Sequence, residues 1–594
     1  ITVASMNMRG HGLTGNTPID DKWVHIHALV KTERIGILAL QETHLRDDQV
    51  DRLHGRYGRR LHIVNSSNPT RPNAHGVAIV VNKNLVPADG LTTTVLVPGR
   101  ALYAAIKWHH ARTVHVLAVY APNAPTENCQ FWQDINTALV HHGLHKPDVL
   151  MGDFNVVEDP NDQLPRHRDP LAAVGALQDT LSDFELCDGW RESHPHDSAY
   201  TYGMSSLGSK SRIDRIYTTR DLLAMASDWR IKPTGGVSTD HLLVTAKLAD
   251  PQLPYVGPGR WVMPTTLLRD QETTTFLHKR GLQLEIDLEC AATHRTQSHN
   301  PQTVWRDYKR DLTSTFRKRA RVAIPKIEMA LRKLQTHLEM VLNDDVPMNP
   351  GEKDLTVPLL QKRIADLTKH RAHAASLATK AHYRLEGETI SKYWSQINAE
   401  RKPRDIVFGL YRPSSDPTAD PVIESRLDRM AELARDYHDN LQSAQIHDVP
   451  PAIRLQTIRT CLANVEKRLT DAAANDLNDP TTTAQLLDAL KSSENGRAAG
   501  LDGLPDELWK TLHQRYQRDL AAGTPAFNIM AAITAVFADV EEHGADEHAG
   551  LTEGWLCHIL KPNKDDRRRI EHYRPITLLN SDYKIFTKAL ATRL

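Results

Sequence analysis

No segment of this 594-residue chain approaches the ~18 consecutive apolar residues of a membrane-spanning helix, and no secretory signal opens it. A membrane partner is therefore not expected. Cysteine is scarce: the five residues, at 129, 187, 290, 461 and 557, include no Cys-x-x-Cys pair. That argues against a disulfide framework or a structural zinc site, and it fits a reducing compartment. Charge imbalance is also lacking. Lys+Arg and Asp+Glu are both 73, so net charge says nothing about partners and only local clusters can. There is no internal repeat and no strong low-complexity tract. The composition, 40% hydrophobic and 25% charged, is that expected of a soluble chain, and its length suggests about three to five domains. Histidine is plentiful, at 31 residues. The cluster of His141, His142 and His145 has no accompanying Cys or acid pattern and reads as surface histidine. Ile1 already lies in an apparent strand, so the native N-terminus is expected upstream.

The most informative stretch is Met151-Gly152-Asp153-Phe154-Asn155. An apolar run, Val149 to Met151, ends abruptly in Gly-Asp-x-Asn. This reads as a buried strand that delivers an acid and an amide to a sheet rim, with Gly152 letting the backbone turn. Asp153 and Asn155, two apart on a strand end, point the same way. Other apolar runs end similarly. Ile1–Met6 leads to Asn7, Ile35–Leu40 to Gln41-Glu42-Thr43-His44, and Val114–Val119 to Tyr120-Ala121-Pro122-Asn123. Residues 76–81 and 102–108 read as strands, and Asp20–Lys31 and Glu127–His142 as helices. Ser211–Tyr217 alternates like a strand, and Asp240-His241 precedes the apolar Leu242–Ala246. Many short strands with interspersed helices indicate a two-sheet α/β sandwich.

The polar residues at these ends are Asn7, Glu42, Tyr120, Asp153, Asn155, Asp214, Asp240 and His241. Loops at strand ends are where a rigid scaffold presents chemistry. Acids, amides and one His gathered there suit phosphodiester hydrolysis. Carboxylates hold Mg²⁺ as a hard, oxygen-ligated cation, and an acid orients or deprotonates the attacking water. Each residue also has a plain structural reading. Asn7 caps a turn, Glu42 is a surface acid, Tyr120 a rim aromatic, Asp214 a partner of Arg212 or Arg215, and His241 a satisfied core histidine. The ordered set is what coincidence explains poorly.

In that order, residues 1–249 resemble the endonuclease/exonuclease/phosphatase superfamily, which includes abasic-site endonucleases and deoxyribonuclease I. The resemblance rests on Asn7, Gln41-Glu42-Thr43, Tyr120-Ala121-Pro122-Asn123, Gly152-Asp153-Phe154-Asn155, Arg212-Ile213-Asp214 and Asp240-His241. It implies Glu42 as the principal Mg²⁺ ligand (Mn²⁺ being an alternative), with Asn7 and Asp240 near the metal. It implies that Asp153 positions or activates water and that Asn155 and Tyr120 contact the scissile phosphate. His241, oriented by Asp214, would contact phosphate or act as acid/base. Arg9, Asn123 and Arg212 would face nucleic acid. Two departures stand out. Arg9 lies where many abasic-site enzymes have a second acid, which implies a simpler metal site. Ser211 lies where those enzymes usually have an aromatic residue, which counts against a repair role.

Residues 250–300, opened by Asp250-Pro251 and Gly257-Pro258-Gly259, read as a linker. Residues 301–489 read as helical and partly basic. Leu331, Leu334, Leu338 and Val341 recur at helical spacing, and Pro347–Gly351 precedes a second helix from about Thr356 to Arg401. Arg317-Lys318-Arg319 would neutralise phosphates on a nucleic-acid-facing helix or lie on a solvated face, the two readings being about equal. Near the end come Gly500-Leu501-Asp502-Gly503 and a strand–turn–strand pattern running from Trp555 through Lys561 to Tyr573-Arg574-Pro575-Ile576. Residues 490–594 thus resemble the opening fingers of reverse transcriptases from non-LTR (LINE-like) retrotransposons. Lys561 and Arg574 would face a nucleotide on facing strands, or belong to a surface hairpin. The polymerase aspartates of that family would lie beyond Leu594, so no polymerase activity is expected of this chain.

The combination implies part of a retrotransposon polyprotein, truncated before the palm, whose first domain nicks target DNA to prime reverse transcription. DNA is the implied substrate, RNA template a partner of the complete protein, and the nucleus the implied location. The rivals are an abasic-site or other phosphodiesterase of the same superfamily, and a decayed, non-catalytic nucleic-acid-binding remnant.

Overall fold

A computed structural model describes residues 1–10, 22–71, 74–109, 112–203, 209–234, 237, 239–249, 259–323, 326–342, 352, 355–357, 359–360, 362–364, 366–367, 406–413, 420–443, 449–465 and 469–593. The chain divides into two compact units. The first comprises residues 1–251 and 327–405, the second residues 252–326 and 406–594.

The first unit contains fourteen strands among the described residues. In chain order they are β1 (Thr2–Asn7), β2 (Ile35–Gln41), β3 (Leu61–Ser66), β4 (Val77–Asn82), β5 (Thr92–Val97), β6 (Ala101–His109) and β7 (Arg112–Tyr120). There follow β8 (Val149–Asp153), β9 (Gln163–Leu164), β10 (Leu186–Asp188), β11 (Lys210–Ser211), β12 (Asp214–Thr219), β13 (Ala226–Lys232) and β14 (Leu243–Leu248). One six-stranded sheet has the order β13-β14-β1-β2-β4-β3, the other β10-β12-β8-β7-β6-β5; β9 and β11 form a separate ribbon. Each large sheet contains one parallel pair at its centre, β1·β2 and β7·β8.

The inner faces of the two sheets share one core, with Val3, Ile37, Ile79 and Val244 from the first and Leu102, Val116, Met151 and Ile216 from the second. The outer faces are covered by helices. Lys22–Thr32 packs Trp23, Ile26 and Leu29 over the first sheet, and Pro125–His141 and Leu171–Asp183 cover the second. This is the expected two-sheet α/β sandwich. Strands buried on both faces read as unbroken apolar runs, which is why β2, buried at every position, was conspicuous in the sequence.

Some expectations differ from the structure. Ser211–Tyr217 is not one alternating strand. It splits at Arg212 into β11 and β12, and β12 is buried at its first five positions because it lies between β8 and β10. Gly152 makes no turn either. It pairs with both Val119 and Arg215 inside the sheet, where an added Cβ would lie 1.9 Å from the Val119 carbonyl oxygen.

In the second unit, residues 259–300, the described part of the expected linker 250–300, hold regular structure. Asp270 caps a 23-residue helix, Gln271–Thr293, by accepting from the Thr273 N–H. Leu277, Leu284, Leu288 and Ala291 of that helix join a core with Trp305, Trp509, Phe537 and Phe586. The core is completed by helices Pro301–Ala323, Thr483–Lys491, Asp506–Ala521, Ile529–His543 and Ser581–Arg593. Buried Lys309 lies between Asp502 at 3.3 Å and Asp582 at 2.8 Å. The hairpin of Gly554–Leu560 and Tyr573–Leu579 is antiparallel, with Arg574 opposite Ile559. Lys561 follows the first strand and donates to the Glu571 carbonyl at 2.7 Å. The helix containing Leu331, Leu334, Leu338 and Val341 spans Lys326–Leu342 and, from residue 327 on, belongs to the first unit. The break at Pro347–Gly351 and most of the helix expected from Thr356 to Arg401 lie outside the described residues.

Candidate active site

The parallel pairs bring polar strand ends to one rim of the sandwich. At the end of β1, Asn7 lies beside Gln41 at the end of β2, and Glu42 follows. In the other sheet Tyr120 pairs with Asp153, and Asp153 pairs with Asp214, the first residue of antiparallel β12. Two side chains, Asn7 and Tyr120, join the two sheets. The Asn7 Nδ2 donates to Glu42 Oε1 at 3.0 Å and to Asp153 Oδ2 at 2.9 Å. The Tyr120 hydroxyl donates to the same Glu42 oxygen at 3.1 Å. Asp153 Oδ1 accepts from the Asn155 N–H at 3.1 Å, while the Asn155 amide holds the Ala121 carbonyl at 2.9 Å.

Beside this set, His241 Nδ1 is 2.8 Å from Asp214 Oδ2. Asp214 is wholly buried, its backbone N–H donates to Thr201 Oγ1, and its second oxygen, Oδ1, is buried with no hydrogen-bond partner in the protein. Ligand atoms of Asp153, Asp214 and His241 lie within 4.8 Å of one another. Among the described residues no other group of three or more His, Cys, Asp or Glu gathers so closely.

Burial and then the neighbouring Asp214 charge push the Asp153 carboxyl up to about 7, against the pull of His241 and two hydrogen bonds. Burial alone would discharge His241. The Asp214 carboxylate, by charge and hydrogen bond, and then Asp153 outweigh it and push the ring up to about 9. Burial, Glu42 and Asp153 push the Tyr120 hydroxyl upward, so it stays a donor. The site therefore pairs a carboxylate able to take a proton near neutrality with an imidazolium able to give one. Three residues here, Arg9, Glu42 and Asn155, hold φ near +50° without being glycine. Such backbone costs on the order of 1–3 kcal/mol each and persists where the surroundings fix it, often at functional sites.

The donors suit a hard divalent cation. Glu42 and Asp153 converge on one amide nitrogen, and the unpartnered Asp214 oxygen adds negative charge in a buried setting. A cation there would offset the burial and the Asp214 charge that raise Asp153. Asp240 stands apart from this set, its carboxylate ion-paired with Arg9 at 3.1 Å.

Of the residues expected to face nucleic acid, Asn123 and Arg9 are exposed. Arg212 is not. It is 3% exposed, bridges Asp162 at 2.6 Å and Asp188 at 2.7 Å, and lies over the Trp190 ring. A guanidinium so enclosed holds the fold and cannot reach a phosphate. In the second unit Arg317 and Lys318 are exposed, Arg317 with its guanidinium 5.0 Å from the Trp261 ring, whereas Arg319 is tied to Asp270 and Glu272.

Several neighbours were not anticipated. The Tyr202 ring lies 4.8 Å from that of His241, and its backbone bridges both Ser211 and His241. Arg100 donates to the Tyr120 carbonyl at 3.1 Å and places its guanidinium 5.1 Å from that ring. The Lys22 ammonium donates to the carbonyls of Met8 and Arg9 at 2.8 and 3.0 Å, fixing the turn after Asn7. None of these follows an apolar run, so the strand-end signal passes over them.

Residues 5–241 match the Endonuclease/Exonuclease/phosphatase family. The matched domain ends at His241 and includes every rim residue just described. Over 557 residues the chain is 24% identical to the Transposon TX1 uncharacterized 149 kDa protein of Xenopus laevis, covering 87% of this chain and 37% of that protein. The chain thus spans little more than a third of this relative. Similar solved structures include an AP endonuclease from Archaeoglobus fulgidus, 20% identical with a TM-score of 0.34. Another is the endonuclease domain of TRAS1, a telomere-specific non-LTR retrotransposon, 15% identical with a TM-score of 0.30. Each covers 42% of this chain and 99% of the solved chain.

Proposed function

We propose that residues 1–249 form a divalent-metal-dependent DNA endonuclease that nicks target DNA for retrotransposon insertion. The observation that carries this is the Asn7 amide joining Glu42 and Asp153 beside the Asp214–His241 pair. Glu42 and Asp153, with Asn7, would hold Mg²⁺, whose contribution is to neutralise charge developing on the phosphate. Asp153 takes the proton of the attacking water. Doubly protonated His241, fixed by Asp214, donates from Nε2 to the phosphate or the departing oxygen. The Tyr120 hydroxyl supplies a further donor, and exposed Arg9 meets the DNA backbone.

The relative's name and the TRAS1 likeness are consistent with a transposon setting. In the complete protein the nick's 3′ hydroxyl would prime reverse transcription on an RNA template, in the nucleus. Residues 490–594 would then belong to reverse-transcriptase fingers, with Lys561 and Arg574 toward a nucleotide.

The Tyr202 ring beside His241 favours one second reading, cleavage at abasic sites. End-labelled duplexes with and without a single abasic site distinguish the two. Cleavage of intact duplex leaving a 3′ hydroxyl supports target nicking. Cleavage confined to the abasic duplex supports repair, and cleavage of neither removes both.

A further inference from the structure

Helix Pro451–Ala463 has no buried residue. Yet Leu455, Ile458 and Leu462 recur at three- and four-residue spacing along it, and Val465 and Leu469 continue that spacing in the sequence beyond it. All five are between 47% and 64% exposed. Spacing that alternates three and four is the seam of a coiled coil. A 13-residue helix is marginal in water when nothing packs on it, because each turn must repay the cost of nucleation. The seam is therefore the place from which this helix gains stability.

Charge says what covers it. Arg454 immediately precedes the first seam residue and Arg459 immediately follows the second, so arginines flank the stripe on both sides. The helix carries no Asp or Glu. A second copy in parallel register would set Arg454 of one chain against Arg459 of the other. An antiparallel copy would set these arginines against one another or against the uncharged Ala452 and Cys461. Neither arrangement gives an opposite charge along the helix. An acidic amphipathic helix, apolar at its seam with Glu or Asp at the flanking positions, meets both the stripe and the arginines.

We propose that Pro451–Ala463 is a docking helix for an acidic amphipathic helix of a partner protein. The seam supplies the buried area and Arg454 and Arg459 supply the selectivity. This assignment is independent of the nuclease reading.

The test uses the full chain and two fluorescent synthetic helices of about three heptads, both with Leu at the seam positions. One carries Glu at the flanking positions, the other Lys. In anisotropy titrations the Glu helix is expected to bind at least about tenfold more tightly, with affinity falling as salt rises. Ile458→Asp/Leu462→Asp should abolish binding, and circular dichroism should show the fold retained because neither side chain is buried. Arg454→Glu/Arg459→Glu should invert the preference toward the Lys helix. Equal binding of the two helices, no binding, or a preference untouched by charge reversal would overturn the proposal. So would a wild-type chain that sediments as a dimer and becomes monomeric with Leu462→Asp, since a second copy would then cover the seam.

Discussion

In the proposed reaction Asp153 and His241 would carry opposite tasks, a base and an acid, and their surroundings suit each. The carboxyl retains its proton up to about 7, through burial and then the Asp214 charge. The imidazole retains its proton up to about 9 because Asp214 outweighs burial. A base must be deprotonated and an acid protonated, so nicking should rise with pH as Asp153 ionises and fall as His241 is discharged. A bound cation favours ionised Asp153, so the rising limb is expected at or below about 7, and the falling limb near 9. The pH–rate profile of nicking measures both. His241→Gln should lose the alkaline limb along with most of the rate. A variant that keeps that limb would remove His241 from the acid role. Arg9→Ala, at a side chain 66% exposed, should weaken DNA binding and its salt dependence without changing the melting temperature.

Among the elements, the break between β11 and β12 shows why a motif residue is not always a binding residue. Arg212 stands in a polar stretch and looks available, but its acceptors are Asp162 and Asp188, 50 and 24 positions earlier in the chain. Nothing local in the sequence announces such partners. Arg212→Ala leaves two acids beside an emptied space, and breaking a buried ion pair costs roughly 3–5 kcal/mol. Faster hydrogen exchange across Asp214–Thr219 is the expected readout, and unchanged exchange would mean that the network is dispensable. The β7·β8 pair makes a similar demand. At Gly152 a methyl group would meet the Val119 carbonyl at 1.9 Å, and neither backbone can yield without breaking the ladder. Gly152→Ala is expected to lower the melting temperature by an amount matching about 3 kcal/mol or more, at the upper end of overpacking effects. Thermal denaturation checks it. The strands that end in Asn7, Gln41, Tyr120 and Asp153 were legible because burial on both faces writes an apolar run that a polar residue interrupts. Thr92–Val97, an exposed threonine-rich strand at the sheet edge, writes no such run and passed unnoticed. Helix Gln271–Thr293 was missed because the prolines and glycines before it suggested a longer break than the chain makes.

For the whole molecule, the two units differ in how far function can be read. The first gathers Asn7, Glu42, Tyr120, Asp153, Asp214 and His241 at one rim, and its residues 5–241 match the Endonuclease/Exonuclease/phosphatase family. The second has a well-filled core, an ion cluster at Lys309 and a helix, Pro451–Ala463, with no buried residue, while the chain spans 37% of its transposon relative. The candidate site in the first unit was legible as a cluster because acids, amides and one histidine recur at strand ends. The Asn7 bridge was not, since it joins residues 35 and 146 positions apart. The second unit's core comes from sequence-distant helices, so neither its extent nor its beginning near residue 252 showed in the sequence. The most direct measurement is conversion of supercoiled plasmid to open circles by the full chain with Mg²⁺. Nicking that stops on chelation, returns with added Mg²⁺ and falls roughly 10²–10⁴-fold or more in Asp153→Ala/His241→Ala is the predicted result. Nicking no greater than that of the double variant would contradict it.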